Sequence, residues 1–355
     1  MSIQLGLCSL NGLMIAAWKG VPGVDAISFV QYDSGNIDGT WALLGVLPGG
    51  SSVGPSLANR GGNTLFAAWK GPDRIGEGLN NLGLYFSQLT LPADVAYGQI
   101  PGDLTWSSPI AIPRATSHFG PALVAYGSFV VAAWAGTSAD LEFSGEYPVW
   151  CMTATAAEGT GVVSSFSGPV TRIPGASSSF GVSLAISDFD SQIYAAWPVA
   201  GSNNKVELAT GQIDLQGAIV WTMRGEIPGI QSSTGPSLSS TATTPDGNYG
   251  AMWAAWTDAM TGEVYCNSLD DLFGGVNPTP IRFASPGPAP TSSDRPTLAA
   301  SPTGNSLFAL WKGAGIDEQI YCATMTGDAP PWTEISPVAF STGSDPVGFR
   351  KLPGL

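Results

Sequence analysis

One short motif recurs six times along the 355 residues: Ala16-Ala17-Trp18, Ala67-Ala68-Trp69, Ala132-Ala133-Trp134, Ala195-Ala196-Trp197, Ala254-Ala255-Trp256 and Ala309-Leu310-Trp311. The tryptophans are spaced 51, 65, 63, 59 and 55 residues apart. Upstream of each sits a second element: Pro55-Ser56-Leu57, Pro121-Ala122-Leu123, Val182-Ser183-Leu184, Pro236-Ser237-Leu238 and Pro296-Thr297-Leu298, with Leu5-Gly6-Leu7 in the first repeat. After each Trp comes a short strand pattern, then a further strand ending in a Pro-Gly-like stop, as in Trp41–Pro48 and Trp221–Pro228. Four short strands per unit, repeated six times, predict an all-β fold: a six-bladed β-propeller of four antiparallel strands per blade with a funnel pocket on its axis. The blades are placed at about 1–49, 50–114, 115–175, 176–229, 230–287 and 288–340 of one domain covering 1–355. The segment 341–355 is expected to fold back over the junction of the sixth and first blades and help close the ring.

Composition agrees with many strands and tight turns. Gly (46) and Pro (28) make up about a fifth of the chain, yet 44% of it is apolar and 12 residues are Trp, which excludes a disordered chain. With 13 basic against 27 acidic side chains and a net charge of −14, the protein lacks the cations that nucleic acid or an anionic membrane surface would require. No run approaches the ~20 apolar residues of a membrane-spanning helix. Met1-Ser2-Ile3-Gln4-Leu5 has neither a basic nor a long apolar stretch, so no classical signal peptide is expected. Cys8, Cys151, Cys266 and Cys322 are scattered without a CxxC pair; the last three fall at one equivalent strand position in separate repeats. Free, buried thiols and a cytoplasmic location are therefore expected.

Conventional catalytic sets are missing. With a single histidine, His118, neither a histidine-rich metal site nor a redundant Ser-His-Asp set can be built, and no P-loop, GxGxxG or HExxH occurs. No metal and no cofactor is expected. Asp270-Asp271 and Asp317-Glu318 read as solvated turns. Residues Ser34 to Trp41 resemble the Asp-box turn of sialidase propellers, once and with imperfect spacing, and the eight arginines show no repeat-phased cluster able to hold a carboxylate.

The blades differ most on the face that carries the connections between them. Lysine follows the Trp in the first, second and sixth repeats (Lys19, Lys70, Lys312), where the others have Ala135, Pro198 and Thr257. One connection column reads Ser52, His118, Ser179, Ser233, Ser293; two residues on, Gly54, Gly120, Gly181 and Gly235 give way to Arg295. Long loops at 71–82 and 136–147 decorate the second and third blades. Lys70, His118 and Arg295 are thus candidate catalytic groups, and Trp18, Lys19, Trp69, Trp134, Trp256, Trp311 and Lys312 candidate substrate-binding residues. A structural reading stands beside each: the tryptophans wedge between blades, the lysines snorkel, and the histidine caps a turn.

The Pro-Ser-Leu and Ala-Ala-Trp-Lys-Gly elements, as in 55–57 and 67–71, resemble the blade repeat of bacterial and fungal lectin-like propellers often labelled sialidase-like, across the chain to about residue 340. Six-bladed fungal fucose-binding lectins are similar in shape. That group carries Arg-Val-Tyr on a strand, where this chain reads Leu84-Tyr85-Phe86, Val264-Tyr265-Cys266 and Ile320-Tyr321-Cys322. A second similar group is the fungal cofactor-free hetero-Diels–Alderases of tropolone sesquiterpenoid biosynthesis.

That second resemblance implies a cofactor-free cyclase of natural-product biosynthesis, holding an apolar polyene and a quinone-methide-like partner in an asymmetric funnel. Positioning alone can supply ~7–11 kcal/mol of such a barrier, and a cation or hydrogen-bond donor at a developing oxyanion adds a few kcal/mol. The alternative is a multivalent carbohydrate-binding lectin with glycans as partners; it predicts near-equivalent polar residues in most blades. A scaffold that binds proteins on its rim is a third reading.

Overall fold

The computed structural model describes residues 4–20, 25–33, 40–59, 62–74, 79–102, 104–136, 147–158, 161–187, 189–241, 250–277, 281, 290–302, 304, 306–317, 319–326 and 332–341. Strands dominate it, with one short helix at Leu269–Phe273. They form six sheets in sequence order, and the protein is a six-bladed β-propeller. The first blade runs Leu5–Leu10, Leu13–Lys19, Ala26–Asp33 and Thr40–Gly50, each strand antiparallel to the one before it. The second to fifth blades begin at Ser56, Ala122, Ser183 and Ser237, and the sixth spans Thr297–Ser341. A two-stranded ribbon, Asp73–Arg74 with Leu79–Asn80, lies in the extended connection of the second blade. Most of the 136–147 connection and residues 342–355 of the closing tail lie outside the described residues.

The Ala-Ala-Trp motif follows from the two-residue period of a strand buried on both faces. In the second blade, Ala67 and Trp69 face the first blade, while Phe66 and Ala68 face the third. All of Thr64–Lys70 is buried. Each repeat obeys this rule, so the core consists of six clusters, one per blade junction. In each cluster the Trp points toward the preceding blade, where the small alanines let the sheets approach. Removing one large buried aromatic typically costs about 3–5 kcal/mol, so the recurring indole is a principal source of cohesion.

A second aromatic column seals the same junctions further out. Trp41, Trp106, Phe166, Trp221 and Trp332 belong to the clusters facing their preceding blades. Phe29 and Trp106 meet edge to face at 5.5 Å, and Trp221 donates its indole N–H to Cys151 Sγ at 3.3 Å.

Three of the Pro-Ser-Leu serines stitch the innermost strands together. Ser56 accepts the amide of Leu123, Ser183 that of Leu238 and Ser237 that of Leu298, each at 3.0 Å. Among the described residues the sixth blade has its own four strands and shares none with the first. Their junction is packed through Leu5, Leu7 and Trp18 on Phe308 and Leu310.

The fifth blade departs from the repeat. Among the described residues its sheet has three strands. Ser268 then caps the helix Leu269–Phe273 by accepting the Asp271 amide at 3.1 Å, with Asp270 and Asp271 in the first turn, an arrangement that favours a helix start over continued strand. Leu269 and Leu272 fill the junction with the fourth blade. The edge of Val264 is met by the Ile281 amide and the Pro290 carbonyl.

Candidate functional site

The connections between blades converge on one mouth of the ring. A buried serine organises each of four of them: Ser51, Ser117, Ser178 and Ser292 accept the amide two residues on, from Val53, Phe119, Phe180 and Asp294, at 3.0–3.2 Å. These serines immediately precede the column that the sequence reading favoured. In three of these turns the next residue, His118, Ser179 or Ser293, is partly or fully exposed, whereas Ser52 is buried against the Lys70 ammonium.

The glycine column lies beside the axis, where backbones nearly touch. A Cβ at Gly54 would sit 1.4 Å from the Gln4 carbonyl oxygen, so only glycine fits there. Two long side chains cross the mouth. The Gln4 amide donates to Pro121 O at 3.2 Å, from the first blade to the third. Arg295 Nη1 donates to Val182 O at 3.1 Å, from the sixth blade to the fourth. Beneath them the axial cavity, about 230 Å³, is walled by the innermost strands of all six blades.

The structure disperses the predicted site residues. Trp18, Trp69, Trp134, Trp256 and Trp311 are buried in the inter-blade clusters and none lines the axial cavity. Trp256 and Trp311 stack on Tyr265 and Tyr321 at 5.6 and 6.1 Å. Lys19, Lys70 and Lys312 are buried as well. Lys70 Nζ donates to Ser52 Oγ at 2.6 Å, and Lys312 Nζ donates to Gly313 O at 3.2 Å while lying 4.0 Å from the Asp294 carboxylate. Arg295 lines the cavity; the lysines do not.

His118 belongs to a different group. Its ring lies 5.5 Å from Tyr147, which is 5.5 Å from Phe119, and Phe119 is 5.0 Å from Phe180. All four residues are half-buried. They come from the turn entering the third blade, the start of that blade's third strand and the turn entering the fourth. Phe119 and Arg295 approach the same point, 3.6 and 3.8 Å from where a Gly181 Cβ would stand. The equivalent turn positions read Val53, Thr234 and Asp294, so among the described residues the aromatic patch lies on one side of the mouth. Phe119, Phe180 and Tyr147 escaped the sequence reading. The column after His118, read blade by blade, carries the signal for the two phenylalanines.

The four thiols are unpaired and buried. Burial raises their pKa values, that of Cys151 to about 11, which leaves them un-ionised and poor nucleophiles at neutral pH. Among the described residues no group of three or more His, Cys, Asp or Glu is placed to hold a metal ion. No described helix is long and apolar enough to cross a membrane.

No protein-family model and no curated protein matches the chain. Solved structures do. AofleA from Arthrobotrys oligospora superposes with a TM-score of 0.59 at 10% identity, covering 97% of this chain and 88% of that one. The fucose-specific lectin from Aleuria aurantia gives 0.55 at 14% identity, covering 97% and 96%. The Trypanosoma rangeli sialidase in complex with the inhibitor DANA gives 0.54 at 9% identity, covering 94% of this chain and 54% of that one. The architecture is that of the lectin-like propellers, and identities this low carry the fold alone.

Proposed function

We propose that the protein binds one saccharide at the patch formed by Tyr147, Phe119, Phe180 and His118. The single observation that carries this reading is the cluster of half-buried aromatic residues, gathered on one side of the mouth with a hydrogen-bonding ring at its edge. Aromatic faces stack against the C–H faces of sugar rings, while His118 and the Tyr147 hydroxyl are suited to sugar hydroxyls. The names of the similar propellers, a fucose-specific lectin and a sialidase, support the ligand class. The asymmetry supports one site rather than six.

Titration with a panel of free monosaccharides tests this, followed by tryptophan fluorescence and counted by native mass spectrometry. One bound equivalent per chain is expected, with Phe119→Ala about tenfold weaker, in line with roughly 0.5–1.5 kcal/mol for an aromatic contact beyond its area. Three or more equivalents would mean repeated sites, as in a multivalent lectin; no saturable binding would discard the saccharide.

A second reading is cofactor-free hetero-Diels–Alder cyclisation of an apolar polyene onto a quinone-methide-like partner. It is favoured by one feature of the patch: three rings form an apolar seat beside a single polarising imidazole, which suits a reaction driven by positioning. In that case a tropolone-type compound saturates the patch at one equivalent and the sugars do not.

A further inference from the structure

The guanidinium of Arg295 is a buried charge that neither reading of the aromatic patch uses. It replaces the glycine of the second to fifth blades, is 8% exposed, and donates to a backbone carbonyl, Val182 O. Among the described residues it makes no ion pair; the neighbouring Asp294 carboxylate lies toward Lys312 instead. A buried guanidinium facing only a carbonyl dipole is poorly compensated, and burial accordingly pulls its pKa down to about 10.

The cavity below Arg295 supplies further donors. Ser56, Ser183 and Ser237 line it, and each already accepts a backbone amide from the next blade. Their hydroxyl protons have no acceptor among the described residues. The described lining contains Arg295 and no acidic side chain, which makes it unsuited to a cation. A volume of about 230 Å³ exceeds the ~30 Å³ share of one water several-fold, so a polyatomic ion fits with accompanying water. The planar guanidinium fork matches the oxygens of carboxylate, sulfate or phosphate.

We propose that the axial channel binds one small oxyanion, held at its mouth end by the Arg295 guanidinium and along its wall by the hydroxyls of Ser56, Ser183 and Ser237. This site lies beneath the mouth and adjoins the aromatic patch where Arg295 and Phe119 approach Gly181, so its test is run with anions in the absence of sugar. Calorimetric titration and thermal unfolding at fixed ionic strength, with acetate, sulfate and phosphate each replacing chloride, read it directly. The acetate arm against the sulfate and phosphate arms distinguishes an organic carboxylate from an inorganic oxyanion. The expected result is saturation at one anion per chain with a raised unfolding temperature, because a ligand bound only to the folded state stabilises it. Arg295→Met is expected to weaken binding tenfold or more, and Arg114→Met, an exposed arginine away from the channel, to leave it unchanged. The double variant Ser183→Ala, Ser237→Ala removes two donors while keeping the guanidinium, and a severalfold loss is expected there. Absence of saturable binding by all three anions to the unaltered protein, or unchanged affinity in these channel variants, would overturn the proposal.

Discussion

On the side of the ring built by the first, second and sixth blades, the residue after the second-strand tryptophan is a buried lysine; on the other side it is Ala135, Pro198 or Thr257. The two sides hold the same junction by different chemistry. Where lysine is present in the second blade, its ammonium donates to Ser52, and Ser52 in turn donates to the Gly71 carbonyl at 3.1 Å. Where alanine or proline is present, the turn serine reaches directly to that residue's carbonyl: Ser117 to Ala135 O at 2.7 Å and Ser178 to Pro198 O at 3.1 Å. In the fifth blade Thr257 donates instead to the outgoing connection, at Asp294 O, 2.6 Å away. In the second blade the lysine is thus a latch between a strand and the incoming connection. The side without it carries Phe119, Phe180 and His118 at its turn positions, where the ligand surface is proposed.

Moving the lysine across the ring breaks the comparison most severely. Ala135 is fully buried and its carbonyl is already occupied by Ser117, so Ala135→Lys forces a long cationic side chain into a packed junction. A loss of about 3–5 kcal/mol in denaturant unfolding is expected. A loss below about 1 kcal/mol would show that either side accepts the charged latch.

Removing the latch sharpens the contrast between charge and volume. Lys70→Ala is expected to cost about 2–3 kcal/mol through the cavity and the broken bond to Ser52, while Lys70→Met, which keeps the volume, costs about 1 kcal/mol. Equal losses in chemical denaturation would assign the latch to charge alone. The smallest effect is expected at the rim. Lys205 and Glu226 pair at 2.7 Å but are 53% and 47% exposed, so Lys205→Ala is expected to change stability by less than about 1 kcal/mol. Salt-insensitive destabilisation beyond that would show that the exposed pair organises its blade edge.

Much of this fold is legible in the chain because a blade is a local unit. Its strands are neighbours in sequence, and alternation in Ala-Ala-Trp already says that both faces of the second strand are covered. The serine turns were harder to place. Ser51 and Ser52 are adjacent, chemically alike and both buried, and only the bond from the Val53 amide tells which one shapes the turn. In the sequence the neighbouring column stands out instead, because His118 departs there from a run of serines. The fifth blade shows the opposite case: Ser268 followed by two aspartates is a helix start that a strand-repeat template passes over.

From the sequence alone come the number of blades, the strand period, the tryptophan wedge and the asymmetry of the mouth, since each depends on residues close together along the chain. The tertiary structure alone decides which polar side chains meet. Gln4 reaches a carbonyl 117 residues away and Arg295 one 113 residues away, and no repeat period encodes those encounters. It also decides that the lysines are buried and that four rings from two neighbouring turns and one strand share one patch. Ring closure fixes these contacts: each blade's packing constrains only its two neighbours, but six such constraints together set what faces the axis and what faces solvent.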